Sequence, residues 1–251
     1  MKKIFILFIT VLFVSCDSDS ALDCFQAAGS IISVEMTVDT FDKITVWERT
    51  QLFISEGNEQ KVIIETGENL LNDIEVVVED GRLNVYNNNG CNLVRDYAIT
   101  KIYVTSPNIT EIRSSTAFSI ESIGVLGYPN LRLLSEDQGN EDFYHTDGDF
   151  NLSLNVDSLV VVANGLSAFY LDGVANSTQY GLYGGDCTIQ AQNLIAEHVN
   201  LFHRSTSDMV VNPQQSLTGR IVSLGDVISK NRPDIVDVET PYKGKLIFNF
   251  D

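Results

Sequence analysis

The chain has 251 residues, 44% hydrophobic and 20% charged, which supplies a substantial core and excludes wholesale disorder. Acidic residues outnumber basic ones 34 to 16, a formal net charge of -18, so the surface repels nucleic acid and disfavours anionic lipid or polyanionic sugar over its whole extent. Five Pro, 17 Gly without a fixed period and four Cys exclude collagen and the densely cross-linked small scaffolds.

Lys2 and Lys3 precede the uncharged run from Ile4 to Val14. That run is too short for a hydrocarbon core of ~30 Å, which takes about 20 helical residues, and it has the form of a secretion signal. It ends in Leu12-Phe13-Val14-Ser15-Cys16 and turns polar at once with Asp17-Ser18-Asp19-Ser20. The segment resembles a bacterial lipobox, which implies lipid attachment at Cys16 and a new N-terminus there; an ordinary signal peptide is the alternative. One acyl chain binds a membrane marginally, whereas two or three on one Cys hold a soluble domain without a spanning helix. Removing Lys2 and Lys3 leaves 14 basic residues (16 − 2) against 34 acidic, a net charge of -20. The expected organisation is a lipoprotein signal peptide over 1–15, a lipidated N-terminus and tether over 16–36, and one domain over 37–251.

From Ile44 onward the chain reads as short β-rich runs. Ile44 to Trp47, Leu52 to Ile54, Lys61 to Glu65, Ile74 to Val78 and Arg82 to Tyr86 come first. Asp80-Gly81 between the last two is a hairpin signal, because both central residues of a type I′ turn need positive φ. Glu68 to Asn72 has room for one helical turn, and no segment sustains a 3.6-residue period. The class is all-β.

After about residue 100 a looser repetition sets in: an apolar strand, a small or acidic turn, then another apolar strand. Taking Ser167, Asp186, Asp208 and Asp226 as equivalent turn positions gives intervals of 19, 22 and 18 residues. A period near twenty suits one coil of a β-solenoid, whose inward face is buried by stacking on its neighbours. A meandering β-sandwich spaces its strands similarly.

These segments resemble the head GIN domain family of auto-transporter adhesins of Gram-negative bacteria. Thr40-Phe41-Asp42-Lys43-Ile44 is similar to the family's opening strand and Gly57-Asn58-Glu59-Gln60-Lys61-Val62 to its next turn and strand. Asp80-Gly81-Arg82-Leu83 matches its hairpin, and Ser223-Leu224-Gly225-Asp226-Val227 with Asn231-Arg232-Pro233 its closing motif. The likeness spans about residues 40–233, with Leu166, Thr206 and Leu224 standing where the family's pattern has small residues. It implies a right-handed parallel β-helix-like solenoid at the cell envelope of a Gram-negative bacterium, with the outer membrane as its expected home. It also implies an adhesive role without catalytic residues.

With Cys16 lipidated, Cys24, Cys91 and Cys187 remain in an oxidising compartment. Cys24 lies ahead of the domain and Cys91 in the turn Asn87-Asn88-Asn89-Gly90-Cys91-Asn92, so a Cys24–Cys91 disulfide is expected to clamp the entry of the chain. Closing that loop of about 67 residues contributes roughly 4 kcal/mol in the chain-entropy treatment. Cys187 alternates with Thr188 and Ile189 and reads as a buried structural thiol. His198 and His203, five apart on strand segments, face opposite ways and read as surface or turn residues rather than zinc ligands. His145-Thr146-Asp147-Gly148 resembles a polygalacturonase fragment, without the carboxylate pair and basic clamp that hydrolysis needs. Asp147, Asp149 and Asn151 mimic the opening of an EF-hand loop, but Leu152 and Ser158 occupy its Gly and Glu positions. Glu136 to Asp142 reads as a solvated acidic run.

The expected function is therefore a non-enzymatic, envelope-anchored adhesion or surface-binding module with no catalytic residue, cofactor or metal. Its partners are the membrane, through lipid, and a surface glycan or protein. Tyr170, Tyr180, Tyr183 and Phe202 are candidate ladder aromatics, equally readable as core filling. A carbohydrate-active enzyme on the same scaffold and a purely structural lipoprotein are the rivals.

Overall fold

A computed structural model describes residues 26–91, 96, 99–140 and 143–250. The signal segment, Cys16 and Cys24 lie outside them. Among the described residues seventeen strands join in one sheet, accompanied by a 3-10 turn at Leu71–Asp73. The first ten strands are short: β1 (Ile31–Met36), β2 (Lys43–Val46), β3 (Gln51–Glu56), β4 (Lys61–Gly67), β5 (Ile74–Glu79), β6 (Arg82–Asn87), β7 (Lys101–Ser106), β8 (Glu111–Ser114), β9 (Ile120–Leu126) and β10 (Asn130–Ser135). Residues 31–36, part of the expected tether, thus pair with β4 as an edge strand. Asp80 and Gly81 both take positive φ (49° and 73°) in the β5–β6 hairpin, as the Asp-Gly signal requires.

The short strands form two walls. In the first, β9, β3 and β7 run parallel, and β4 and β1 continue antiparallel. In the second, β10, β8, β2 and β6 run parallel and β5 closes antiparallel. Four long strands then serve both walls at once: β11 (Phe150–Ala163), β12 (Ala168–Leu182), β13 (Thr188–His203) and β14 (Met209–Ile221). The front of β11 pairs with β9 and its back with β10, and β12 to β14 follow in parallel. Past β14 the walls part again, with β15 (Val227–Ser229) and β17 (Leu246–Phe248) on the first and β16 (Ile235–Glu239) on the second.

The sequence repetition is the distance between stacked parallel strands. Ala168 faces Thr188, Gln190 faces Val210, Met209 faces Val227 and Val227 faces Leu246, steps of 20, 20, 18 and 19 residues. The phase differs from expectation at two steps. Asp208 and Asp226 are in step, but Ser167 falls beside Cys187 rather than Asp186, because residues 164–167 make a corner one residue shorter than residues 183–187. Asp186 in turn lies level with Thr206, its hydrogen-bond partner, and not with Asp208, because Gln190 faces Val210. Small polar residues sit at these corners because their hydroxyls satisfy backbone groups that the ladders leave. Ser205 Oγ donates to Cys187 O (2.6 Å), and Ser135 and Ser167 share a buried hydrogen bond. Leu166 and Leu224, bulky where small residues were expected, point outward, 63% and 50% exposed.

Inside, apolar side chains of both walls meet in one core. Phe150 stacks on Phe169 with ring centroids 4.7 Å apart. Val161, Tyr180, Leu201 and Gly219 form one inward column, and Ala163, Leu182, His203 and Ile221 another. Gly173 and Gly219 lie inside strands with φ of 107° and 129°, and a Cβ at either would collide with the carbonyl oxygen of Leu154 or Leu201 in the strand before it.

Candidate functional site

The first wall departs from regular pairing at one place. Between β11 and β12 the register is continuous: Asn151 faces Tyr170, Leu152 faces Leu171 and Ser153 faces Asp172. Both flanking strands slip. On one side Asn151 faces Glu121 but Ser153 faces Val125, so β9 carries Ser122, Ile123 and Gly124 opposite Leu152 alone. On the other, Tyr170 faces Gln190 but Asp172 faces Asn193, so β13 carries Ala191 and Gln192 opposite Leu171. β13 slips again against β14 between Gln190 and Ile195. Surplus residues have no ladder partner and make a strand arch, which is why bulges re-aim side chains beside binding sites. Two arched strands flanking a flat pair make a trough, and a cleft of about 440 Å³ opens over it. Gly124 takes φ 79° in the β9 arch.

The lining is polar and largely uncommitted. Ser122 Oγ accepts the Ser153 N–H that the slip leaves without a strand partner (2.9 Å), and Ser153 Oγ donates to Asp172 Oδ2 (3.0 Å). Glu121 is held at one rim by Gln51 Nε2 (3.0 Å) and Ser119 Oγ (2.6 Å). Asn151, Tyr170, Asp172, Gln192 and Asn193 are exposed, with Tyr170 at 46%. Amide donors and acceptors, one carboxylate and the face of a phenol ring therefore converge from three successive strands.

A second groove of about 340 Å³ lies on the second wall. Arg82 Nη2 reaches Glu111 (2.5 Å), which also meets Arg132 (3.4 Å), while Arg113 pairs with Glu136 (2.8 Å). Arg113 lies 4.5 Å from the ring centroid of Tyr144. Trp47 is stacked between Tyr86 (5.3 Å) and Tyr144 (5.5 Å), with Phe143 edge-on at 5.2 Å. These contacts dock residues 136–140 and 143–149 against the wall. The guanidinium groups of Arg82 and Arg113 are consumed by internal partners, so this groove offers a ligand less than the trough does.

The residues singled out in the sequence are dispersed. Tyr170 lies in the trough. Tyr180 is in the core, where burial pushes its phenol above the ordinary range, so it is no surface aromatic. Tyr183 and Phe202 stack at 5.2 Å, at a corner and on the second wall. His145 Nε2 lies 2.6 Å from Glu48 Oε1, and that hydrogen bond holds the Glu48 carboxyl below the usual range. His198 is exposed and bonded to Ser216 Oγ (2.9 Å). His203, expected at the surface or in a turn, is instead fully buried, and among the described residues neither ring nitrogen has a well-formed hydrogen-bond partner. Alternation along Leu201-Phe202-His203 sends it inward with Leu201. Asp149 of the failed EF-hand pattern accepts the Ala168 N–H (2.9 Å) instead. Among the described residues no three His, Cys, Asp or Glu converge as metal ligands. Cys187 is buried and free, its thiol pushed up to about 11 by burial. Cys91 is half-buried after β6. Asn193, Gln190 and Gln192 were missed. The signal was Gln190-Ala191-Gln192-Asn193, where two polar residues in succession break strand alternation.

A family model described as a putative auto-transporter adhesin, head GIN domain, matches residues 40–233. A solved structure of a putative adhesin from Bacteroides fragilis superposes with a TM-score of 0.78 at 20% identity, covering 89% of this chain and 99% of that one. A putative adhesin from Parabacteroides merdae gives 0.61 at 16% identity, covering 88% and 97%. A putative lipid binding protein from Parabacteroides distasonis gives 0.59 at 16%, covering 87% and 97%. At these identities the likeness is one of fold. No curated protein matches the chain.

Proposed function

The chain belongs to the head GIN domain family of putative auto-transporter adhesins, and on that premise we propose that it is a non-enzymatic surface-binding module held at the cell envelope by lipid on Cys16. The observation that carries the proposal is the trough: exposed hydrogen-bonding side chains gathered from neighbouring strands by paired register slips, a geometry suited to holding a ligand. The strands before and after it form the rigid support that such a site needs.

The architecture we assign is a right-handed parallel β-helix-like solenoid over residues 37–251, entered through β1 after a signal peptide (1–15) and a lipidated segment. Steps of 18 to 20 residues between stacked strands of the first wall support it. So does the sharing of each long strand between two walls. We also assign the Cys24–Cys91 disulfide. Gln26 Nε2 donates to Asn69 O (2.7 Å) and Asn89 Nδ2 to the adjacent Leu70 O (3.1 Å), which brings residues two positions from each Cys to the same edge.

Cells expressing the full chain test the proposal. Acyl labelling is expected on the wild type and lost in Cys16→Ser, with the variant released from the membrane. Purified protein is expected to coat beads that attach to cells without cleaving any glycan presented. Absence of attachment removes the binding role, and cleavage products establish an enzyme instead.

A further inference from the structure

The chemistry of the trough narrows its ligand. Small-molecule clefts of about 300–1,000 Å³ are ordinarily lined by apolar side chains with a few polar groups. This one has the size, about 440 Å³, and the opposite lining. Its floor holds Asn151, Ser153, Tyr170 and Asp172, and its β13 rim presents Gln192 and Asn193. Rim to rim it spans three strand spacings, about 14 Å at 4.7–4.9 Å each. A ligand that rewards such a surface carries many hydroxyls, because amides and a carboxylate each bridge two neighbouring O–H groups, and it needs one apolar face for Tyr170.

Charge chooses within that class. Asp172 projects from the floor, Glu121 sits at the rim, no Lys or Arg among the described residues lines the trough, and the whole chain carries -18. A sulfated, phosphorylated or carboxylated ligand would enter against like charge with nothing to pair it. The geometry points to a neutral glycan, a short run of uncharged hexose or N-acetylhexosamine units, held by Asp172, Asn151 and Asn193 through its hydroxyls and by Tyr170 through a ring face. This deepens the binding-module reading and rests on it.

The test uses the lipid-free protein against maltotriose, mannotriose and tri-N-acetylchitotriose, with 3′-sialyllactose and a heparin disaccharide as anionic probes. At least one neutral trisaccharide is expected to bind, tenfold or more tighter than either anionic probe. Tyr170→Ala and Asp172→Ala are each expected to weaken binding at least tenfold. Asn155→Ala, exposed on β11 outside the trough, is expected to change nothing. All three are surface changes that leave thermal unfolding in place, so lost binding is not lost folding. No binding of any neutral trisaccharide, preference for an anionic probe, or binding undiminished in both trough variants overturns the inference. Coated beads separate the two readings. If wild-type and trough-variant beads attach to cells equally and no neutral trisaccharide binds, the glycan assignment falls while the binding module stands. If the trisaccharides bind as expected and beads attach to nothing, the adhesive role falls instead.

Discussion

From β11 to β14 one strand supplies both walls and every ladder is parallel, whereas between residues 31 and 135 each wall strand is a separate piece and three ladders are antiparallel. The outer faces differ as well. The early strands carry ion pairs, such as Arg82–Glu111, Lys61–Glu35 and Lys101–Glu65. The long strands are dressed with hydroxyl and amide contacts, including Ser153–Asp172, His198–Ser216 and Asn200–Thr218. The contrast shows what repetition demands. Where each strand lies in step on the one before, identity is dictated from behind, by a carbonyl that leaves no room for a Cβ. Where hairpins break the step, identity is set by local turn chemistry and the outer surface is free to hold charge.

That difference is broken most severely at the glycines of the long strands. Gly173→Ala or Gly219→Ala adds a methyl group that meets a neighbouring carbonyl oxygen at a φ disfavoured for Ala, and each is expected to cost about 4 kcal/mol or to abolish soluble expression, read by urea unfolding. Gly124→Ala, on the early side at φ 79° with open space around it, carries only conformational strain and is expected to cost about 1 kcal/mol. Equal costs at the two sites would dissolve the distinction. Trp47→Ala probes the early half through its packing. It removes the ring between Tyr86 and Tyr144, and we expect a loss of about 2 kcal/mol, below that of a fully buried aromatic because Trp47 is half-exposed. Proteolysis near residue 140 is expected to quicken, while hydrogen exchange in β12 and β13 stays slow.

What the sequence disclosed follows the same division. Asp80-Gly81 was legible because positive φ at two successive residues is a local requirement. The period near twenty was legible because stacked strands repeat it in apolar pattern. The strand lengths were not, since outward residues such as Asn151, Asp172, Asn176 and Asn200 interrupt the apolar runs from which strands are read. The antiparallel edge β1–β4 was hidden because edge pairing depends on what lies across 30 residues of chain. The trough was least legible, being made by register slips between neighbours, which no single strand's composition records. Cys16 and Cys24 rest on local motif and spacing alone.

His203 sharpens the contrast from within the long strands, since a titratable ring occupies a column otherwise filled by Ala163, Leu182 and Ile221. Burial lowers its pKa below the ordinary 6.5, opposed by Asp208 and Asp226 nearby. Above about pH 6.5 the ring is neutral in both states and contributes nothing. Below it the unfolded chain binds a proton that the folded chain refuses, so stability falls with pH until the folded value is reached. His203→Leu is expected to flatten the decline in melting temperature between pH 6.5 and 5. A slope unchanged by the substitution would assign the decline to the carboxylates.

The smallest effect belongs to Cys187, at a corner between the second wall and the first. Its Sγ lies 3.2 Å from Gly184 O, and burial pushes the thiol up to about 11, so at pH 8 almost none is thiolate. Native protein is expected to resist iodoacetamide at this residue and to react once unfolded in urea. Cys187→Ala removes one buried atom and a weak donor, at a cost of about 1 kcal/mol or less. Fast labelling of the native thiol would mean that the corner opens on its own, and the even stacking of the long strands would then be a property of their middles and not of their turns.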